Sequence, residues 1–569
     1  ALFTRTAPDS GDTIEDQLSE NIAELSRTFG EVAQSWADNP EELLEAQGRL
    51  LSDQAALWSS TYRRALGETV KPVVKPEPGD KRFTDPEWDD SLAFDFFKQS
   101  YLLASGWADK LMEQTQGLDP HTRAKAKFYV RQATNALAPS NFPLTNPAVL
   151  RETLASRGEN LVRGIDNLAS DLARGKGDLA IKQTDLDAFE VGVNLATTPG
   201  KVVFQNDICQ LIQYAPSTKT VHAVPLLIVP PWINKFYVLD LTPAKSFIKW
   251  AVGAGHTVFV ISWVNPDARH AGKSFESYMR EGVIAALDAI KIQTGEPQAN
   301  IIGYCVGGTL LATTLAFLAA HGQSRAASAT FLTTQVDFNE AGDLAVFVDE
   351  PQIKLLEKKL QRDGYLAGKS MARAFNSLRA NELIWSYVIN NYLLGRDPFP
   401  FDLLYWNTDS SSMPAANHIF YMREFYLNNK LAKGEMELAG TPLSIAAVTL
   451  PIYSVATRED HIAPAPSVFR GAGMFGGPVT FVLAGSGHIA GVVNHPKRRK
   501  YHYWAGGDGA TLEQWLNGAT KKPGSWWPHW KRWVGAHTGA RVGARDPASG
   551  PLPVLEDAPG SYVKMPSQD

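Results

Sequence analysis

Gly303-Tyr304-Cys305-Val306-Gly307 is the stretch from which the rest of the chain can be read. Before it, Asn300-Ile301-Ile302 is a short apolar run with the character of a strand. After it, Gly308 to Phe317 is an apolar run of helical length. A sharp turn between strand and helix holds its central residue in strained backbone geometry, with the side chain lifted above the sheet. Glycines two positions either side let strand and helix pass without collision. A cysteine in that place stands at a helix N-terminus, where the helix dipole favours negative charge.

A bare G-x-C-x-G recurs by chance, so the chain beyond it carries the decision. Leu450 to Ala456 reads as a strand and runs into Thr457-Arg458-Glu459-Asp460-His461. Val479 to Ala484 reads as another and runs into Gly485-Ser486-Gly487-His488-Ile489-Ala490-Gly491. Nucleophile, acid, histidine is the chain order of the α/β-hydrolases, whose G-x-S-x-G elbow the first stretch resembles, with Cys in place of Ser. Cys305 is then the candidate nucleophile, His488 the base that takes and returns its proton, and Asp460 the group that orients the imidazole. His461 rivals His488, which is preferred because it lies one strand later on a Gly-Ser-Gly turn. Asp337, after an earlier strand, rivals Asp460. The oxyanion would meet the backbone amide of Val306 and a second amide from the loop Pro231 to Asn234. Cys209, in mid-strand, reads as a packed small hydrophobe.

With 569 residues the chain exceeds what one core usually organises. A formal charge of -5, from 55 basic and 60 acidic residues, gives no electrostatic case for nucleic acid. Two cysteines support neither a disulfide framework nor a cysteine-based metal site, and a reducing cytoplasm fits best. Ala1-Leu2-Phe3-Thr4-Arg5 lacks the features of a signal peptide, and the apolar helix after Cys305 falls short of the roughly 18 to 20 residues of a membrane span.

Residues 1–190 read as a helical region, with helices expected over Ile14 to Phe29, Glu41 to Ala65, Leu92 to Leu111 and Leu150 to Leu172, and a proline-rich linker at Lys71 to Gly79. Leu92 to Leu111, rich in Phe and Leu, reads as a buried or subunit-facing helix. From 191 to 569 strand and helix alternate, the mark of a doubly wound α/β sheet. Lys201 to Tyr214 and Val221 to Val229 read as a pair of strands. Residues 335–433 interrupt the alternation with helical, aromatic sequence, expected to form a cap over the nucleophile. The tryptophan cluster Gly524-Ser525-Trp526-Trp527-Pro528-His529-Trp530 reads first as packing, with a subunit or polymer contact as the alternative.

These motifs together resemble the class I polyhydroxyalkanoate synthases: Gly-Tyr-Cys-Val-Gly-Gly at 303–308, Arg-Glu-Asp-His-Ile at 458–462, Gly-Ser-Gly-His-Ile-Ala-Gly at 485–491, Pro-Pro-Trp-Ile-Asn-Lys at 230–235, Tyr-Trp-Asn-Thr-Asp at 405–409 and Gly-Ser-Trp-Trp-Pro at 524–528. The match extends from roughly Arg82 to Val563 and departs chiefly before Arg82 and over 535–550. The resemblance implies an α/β-hydrolase fold with an inserted helical cap and a helical N-terminal domain. It implies an enzyme that polymerises (R)-3-hydroxyacyl-CoA, most often 3-hydroxybutyryl-CoA, into polyester. Coenzyme A is part of the substrate and is released, with no cofactor and no metal. Cys305 would carry the acyl chain, His488 would activate it, and Asp460 would assist deprotonation of the incoming hydroxyl, directly or through His488. A homodimer on cytoplasmic polymer granules, with granule-associated proteins as partners, is implied as well. A cysteine-nucleophile hydrolase, such as a thioesterase or depolymerase, would share the same triad, and a non-catalytic granule-coating protein could keep the fold. Neither CoA-binding residues nor monomer length can be read from the sequence.

Overall fold

The computed structural model describes residues 14–567, so the reading of Ala1 to Arg5 lies outside the described residues. It divides into two compact units. One holds the chain up to Asp185 together with Arg373–Pro400; the other holds Leu186–Ala372 and the chain from Phe401 onward. None of the described helices is long and apolar enough to cross a membrane.

The first unit is helical: Ile14–Asp38, Pro40–Ala65, Leu92–Gln114, Pro120–Ala136, Pro147–Ala155 and Glu159–Arg174. Two of these starts show why the sequence turns helical where it does. Asp119 accepts hydrogen bonds from the amides of His121 and Thr122, Asn146 accepts from Val149, and each is followed by a proline, which has no N–H in need of an acceptor. The single helix expected over Leu150 to Leu172 is two helices, because the chain turns through Arg157 and Gly158 at φ of 55° and 88°. Gly164 then explains why Arg373–Pro400, sequence from within the expected cap insertion, packs in this unit. Any side chain at Gly164 would overlap the Tyr392 carbonyl, and the bare backbone lets that segment lie against the helix. Asn160 donates to Leu393 O at 2.7 Å and Tyr392 donates to Asp171 at 2.6 Å across the same contact. The helix Leu92–Gln114 buries some of its polar residues: Lys98 is 2% exposed, between Asp95 at 2.9 Å and Trp88 O at 3.0 Å, while Phe97 is 41% exposed.

The second unit is built on an eleven-stranded sheet. Its strands in chain order are β1 (Gly200–Gln205), β2 (Cys209–Tyr214), β3 (Leu226–Val229), β4 (Val258–Trp263), β5 (Ala299–Tyr304), β6 (Ala326–Leu332), β7 (Ile452–Thr457), β8 (Val479–Ala484), β9 (His502–Ala505), β10 (Thr520–Pro523) and β11 (Glu556–Asp557). They lie in the order β10-β9-β8-β7-β6-β5-β3-β4-β2-β1-β11. The six from β8 to β4 are parallel, with β3, β4, β5 and β7 buried along their whole length; the flanking strands are antiparallel. This is the α/β-hydrolase fold. One expectation is corrected: Lys201 to Tyr214 does not pair with Val221 to Val229. It folds on itself as the β1–β2 hairpin, where the Asn206 side chain caps the turn through the amides of Ile208 and Cys209. Of Val221 to Val229, Thr220–His222 pairs with Arg541–Gly543, and Leu226–Val229 enters the sheet centre between β4 and β5. The fully apolar Leu-Leu-Ile-Val suits a strand covered on both faces better than one half of a hairpin. At one edge, β10 is Thr-Lys-Lys-Pro, a composition that discourages further strand pairing.

Candidate active site

Cys305 sits between β5 and the helix Val306–Ala320 at φ 53°, ψ −127°, a left-handed conformation that is costly for a residue with a side chain. The surroundings enforce it. Its amide donates to Leu332 O at 2.9 Å. A Cβ at Gly303 would stand 2.5 Å from Gly308 Cα, and one at Gly307 would overlap the carbonyl oxygens of Val229 and Pro230. The two glycines flanking Tyr304-Cys305-Val306 therefore allow strand, helix and the loop after β3 to meet at one point.

Asp460 follows β7. Its Oδ1 accepts from the amides of Ile462 and Ala463, both at 2.9 Å, and its Oδ2 accepts from Thr457 Oγ1 at 3.0 Å and His488 Nδ1 at 2.7 Å. Burial alone would raise this carboxyl; the imidazole and the two amides outweigh it and hold it below the usual carboxylate range. His488 follows β8, on a turn where Ser486 takes φ 74°. Burial pulls its imidazole down, but Asp460 and then Cys305 pull it well above the ordinary value. With Nδ1 spent on Asp460, the ring also lies within electrostatic reach of Cys305. Its other face stacks on Tyr304 at 5.7 Å, and the Tyr304 hydroxyl donates to the His488 carbonyl at 3.3 Å.

The structure thus seats His488 on Asp460 and within electrostatic reach of Cys305. The rivals stand elsewhere. The imidazole on the Asp460 carboxylate is that of His488, while the His461 carbonyl takes the Asp343 amide at 3.0 Å. Asp337 accepts from Asn429 at 2.8 Å, Arg470 at 2.9 Å and the Asn339 amide at 3.0 Å. Cys209 is fully buried, and burial pushes its thiol up to about 12.

Val306 is the first residue of its helix, so its amide is among those with no partner inside the helix. In the facing loop neither Pro230 nor Pro231 has an N–H, which makes Trp232 the first residue after β3 able to donate. Trp263 Nε1 donates to Pro230 O at 2.9 Å and fixes where this loop leaves the strand.

Two groups of residues belong to the site that motif spacing did not mark. Tyr421 and Tyr426, from the inserted segment, pack edge to face at 5.5 Å and lie within electrostatic reach of Cys305; burial keeps both phenols protonated. The tryptophan cluster proves to be packing with a positioning role. Trp526 Nε1 donates to Gly491 O at 3.0 Å and Trp527 Nε1 to Val492 O at 2.9 Å, which ties down the loop that carries His488. Trp530 Nε1 reaches Thr330 in β6 at 2.9 Å.

Residues 79–251 match the family described as the poly-beta-hydroxybutyrate polymerase (PhaC) N-terminus, and residues 225–494 match the alpha/beta hydrolase fold. Poly(3-hydroxyalkanoate) polymerase subunit PhaC of Rhizobium meliloti (strain 1021) is 56% identical over 551 residues, which cover 97% of this chain and 90% of that one. Poly(3-hydroxyalkanoate) polymerase of Methylorubrum extorquens is also 56% identical over 551 residues, covering 96% of this chain and 91% of that one. Among solved structures, Est816, described as an N-acyl homoserine lactone degrading enzyme, superimposes with a TM-score of 0.29 at 16% identity, over 52% of this chain and 95% of its own. On the strength of its near full-length relatives, this chain belongs to the poly(3-hydroxyalkanoate) polymerases.

Proposed function

We propose that the chain builds polyester from (R)-3-hydroxyacyl-CoA, with 3-hydroxybutyryl-CoA as the first substrate to try, through an acyl group carried on Cys305. The observation that carries this reading is the imidazole of His488, held by Asp460 at 2.7 Å and within electrostatic reach of Cys305 at the elbow. His488 takes the thiol proton, and the sulfur attacks the thioester carbonyl. The carbonyl electron pair moves onto oxygen, which is met by the amides of Val306 and Trp232. Collapse expels the CoA thiolate, which leaves with the proton from His488. In the second half, the 3-hydroxyl of an incoming unit loses its proton to His488, with Asp460 holding the imidazole, and attacks the Cys305 thioester, so that the ester forms and the thiol is restored. Tyr421 and Tyr426 are buried, protonated phenols within electrostatic reach of the sulfur and help keep water from the intermediate. The working form is a homodimer on the surface of cytoplasmic polymer granules.

The test is analysis of products from 3-hydroxybutyryl-CoA. Polymer together with free CoA is the expected outcome, and Cys305→Ala should release no CoA above background. Free 3-hydroxybutyrate with no polymer would mean a hydrolase, and undiminished CoA release by Cys305→Ala would remove the acyl-cysteine.

A further inference from the structure

In the proposed mechanism the oxyanion meets the amides of Val306 and Trp232, and the second is only as well placed as the loop that bears it. On the sheet side, the loop is held by Trp263 at Pro230 O, and the Trp232 ring packs among Tyr278, Phe275 and Tyr421 at centroid distances of 5.1, 5.9 and 6.0 Å. On the other side, the ties come from the inserted segment Phe401 to Ser410. Lys235 Nζ meets Asp409 Oδ1 at 2.5 Å, and the Tyr237 hydroxyl donates to Asp409 Oδ2 at 2.8 Å. Trp406 Nε1 donates to Lys235 O at 2.7 Å, and Asn234 forms an antiparallel bridge with Ser410. The Lys235 side chain is 5% exposed and that of Asp409 20%. Ten residues on from Lys235, Lys245 pairs with Asp402 of the same segment at 2.6 Å.

A lysine so deeply buried needs its carboxylate, and a carboxylate that also takes a phenol hydrogen bond is fixed in direction as well as place. This cluster contacts neither Cys305 nor His488 in the described hydrogen bonds, yet it grips the residues that follow Trp232 from both main chain and side chain. We infer that the Lys235–Asp409 pair is a positioning element of the oxyanion site. Through it the inserted segment sets where the Trp232 amide stands relative to the Val306 amide, and so how well the oxygen of the tetrahedral intermediate is held. Lys235 and Asp409 act through the loop, without touching substrate. The inference rests on the acyl-Cys305 reading above.

The test compares Asp409→Asn, Lys235→Met and the double variant Lys235→Met/Asp409→Leu with the native enzyme. Three readouts are needed: kcat and KM for CoA release from 3-hydroxybutyryl-CoA, the affinity of 3-hydroxybutyraldehyde, whose hemithioacetal with Cys305 needs the oxyanion donors, and alkylation of Cys305 by iodoacetamide, which does not. Asp409→Asn is expected to lower kcat about 10- to 100-fold, with KM within roughly threefold, and to weaken the aldehyde by the same factor as kcat. Alkylation should stay within about twofold, because the thiol and its base are untouched. Asp409→Glu, which keeps the charge, should recover part of kcat. If Asp409→Asn fails to fold, the double variant, which leaves no unpaired charge, carries the same expectation. A folded variant whose kcat and aldehyde affinity stay native, or one whose alkylation falls in step with kcat, overturns the inference. Failure of the underlying reading shows separately, as native enzyme that does not bind the aldehyde at Cys305 or as CoA release that survives Cys305→Ala.

Discussion

Two loops at the carboxyl end of the sheet, which the proposed mechanism sets to the same chemistry, are held by different physics. The loop carrying His488 is anchored by buried indoles: Trp526 and Trp527 bond its carbonyls and pack on Phe247 at 6.2 and 5.0 Å, beside Trp530. The loop carrying Trp232 is anchored on its outer side by a buried ion pair with the inserted segment. The His488 loop is therefore held by indoles that bond its carbonyls and also pack non-directionally over many contacts. The Trp232 loop depends on its outer side on a directional charge pair that a single substitution can break. The two halves of the site should fail independently, and changes in the inserted segment should reach the oxyanion before they reach the base.

The largest effect should come from the group common to both halves of the reaction. Asp460→Asn removes the charge that sustains the His488 imidazolium, and the rate of single-turnover CoA release should fall by about 10³- to 10⁴-fold, with a stability loss of about 1–3 kcal/mol from the donors its amide cannot accept. An equal loss of folded protein would instead make Asp460 a structural residue. Next, Trp527→Ala empties a fully buried site and should cost about 3–5 kcal/mol in urea unfolding. Trp527→Phe keeps most of the packing, loses the hydrogen bond to Val492, and should cost about 1 kcal/mol. If the loops are independent, Trp527→Phe should leave the aldehyde affinity native, and a loss as large as that in Asp409→Asn would merge the two loops into one unit.

A smaller, pH-dependent effect belongs to the indole side. His256 is buried against Trp530 at 5.7 Å and beside His222. Burial, with His222, Lys531 and Arg541 nearby, lowers it from the ordinary 6.5 to about 3. The unfolded chain binds this proton below pH 6.5 and the folded chain does not. The stability contributed by neutral His256 is therefore complete above 6.5 and is lost as pH falls from 6.5 toward 3. The unfolding midpoint should drop over that window, and His256→Gln should flatten the drop. An unchanged slope in His256→Gln would assign the acid sensitivity to other groups.

Much of this was legible in the residues. The elbow announced itself because only glycine fits at 303 and 307, and the acid and histidine loops followed strands whose apolar runs were plain. The pairing of Lys201 to Tyr214 was misread because a hairpin within one apolar stretch and two strands facing each other give the same alternation; the turn signal lay in Asn206-Asp207 alone. The break at Gly158 was hidden inside an otherwise helical pattern. The tryptophan cluster was rightly read as packing, but its hydrogen bonds to the His488 loop span 35 residues and leave no local signature. Lys235 and Asp409 are 174 residues apart, and each alone looks like an ordinary surface charge until the fold buries them together.

Mass spectrometry of the protein after brief exposure to 3-hydroxybutyryl-CoA tests the central claim most directly. The account predicts that the peptide holding Cys305 gains one or more 3-hydroxybutyryl units, that hydroxylamine removes them, and that Cys305→Ala gains none. Turnover to polymer with the native Cys305 peptide unmodified at every time point, or acyl mass on a different residue, would contradict it.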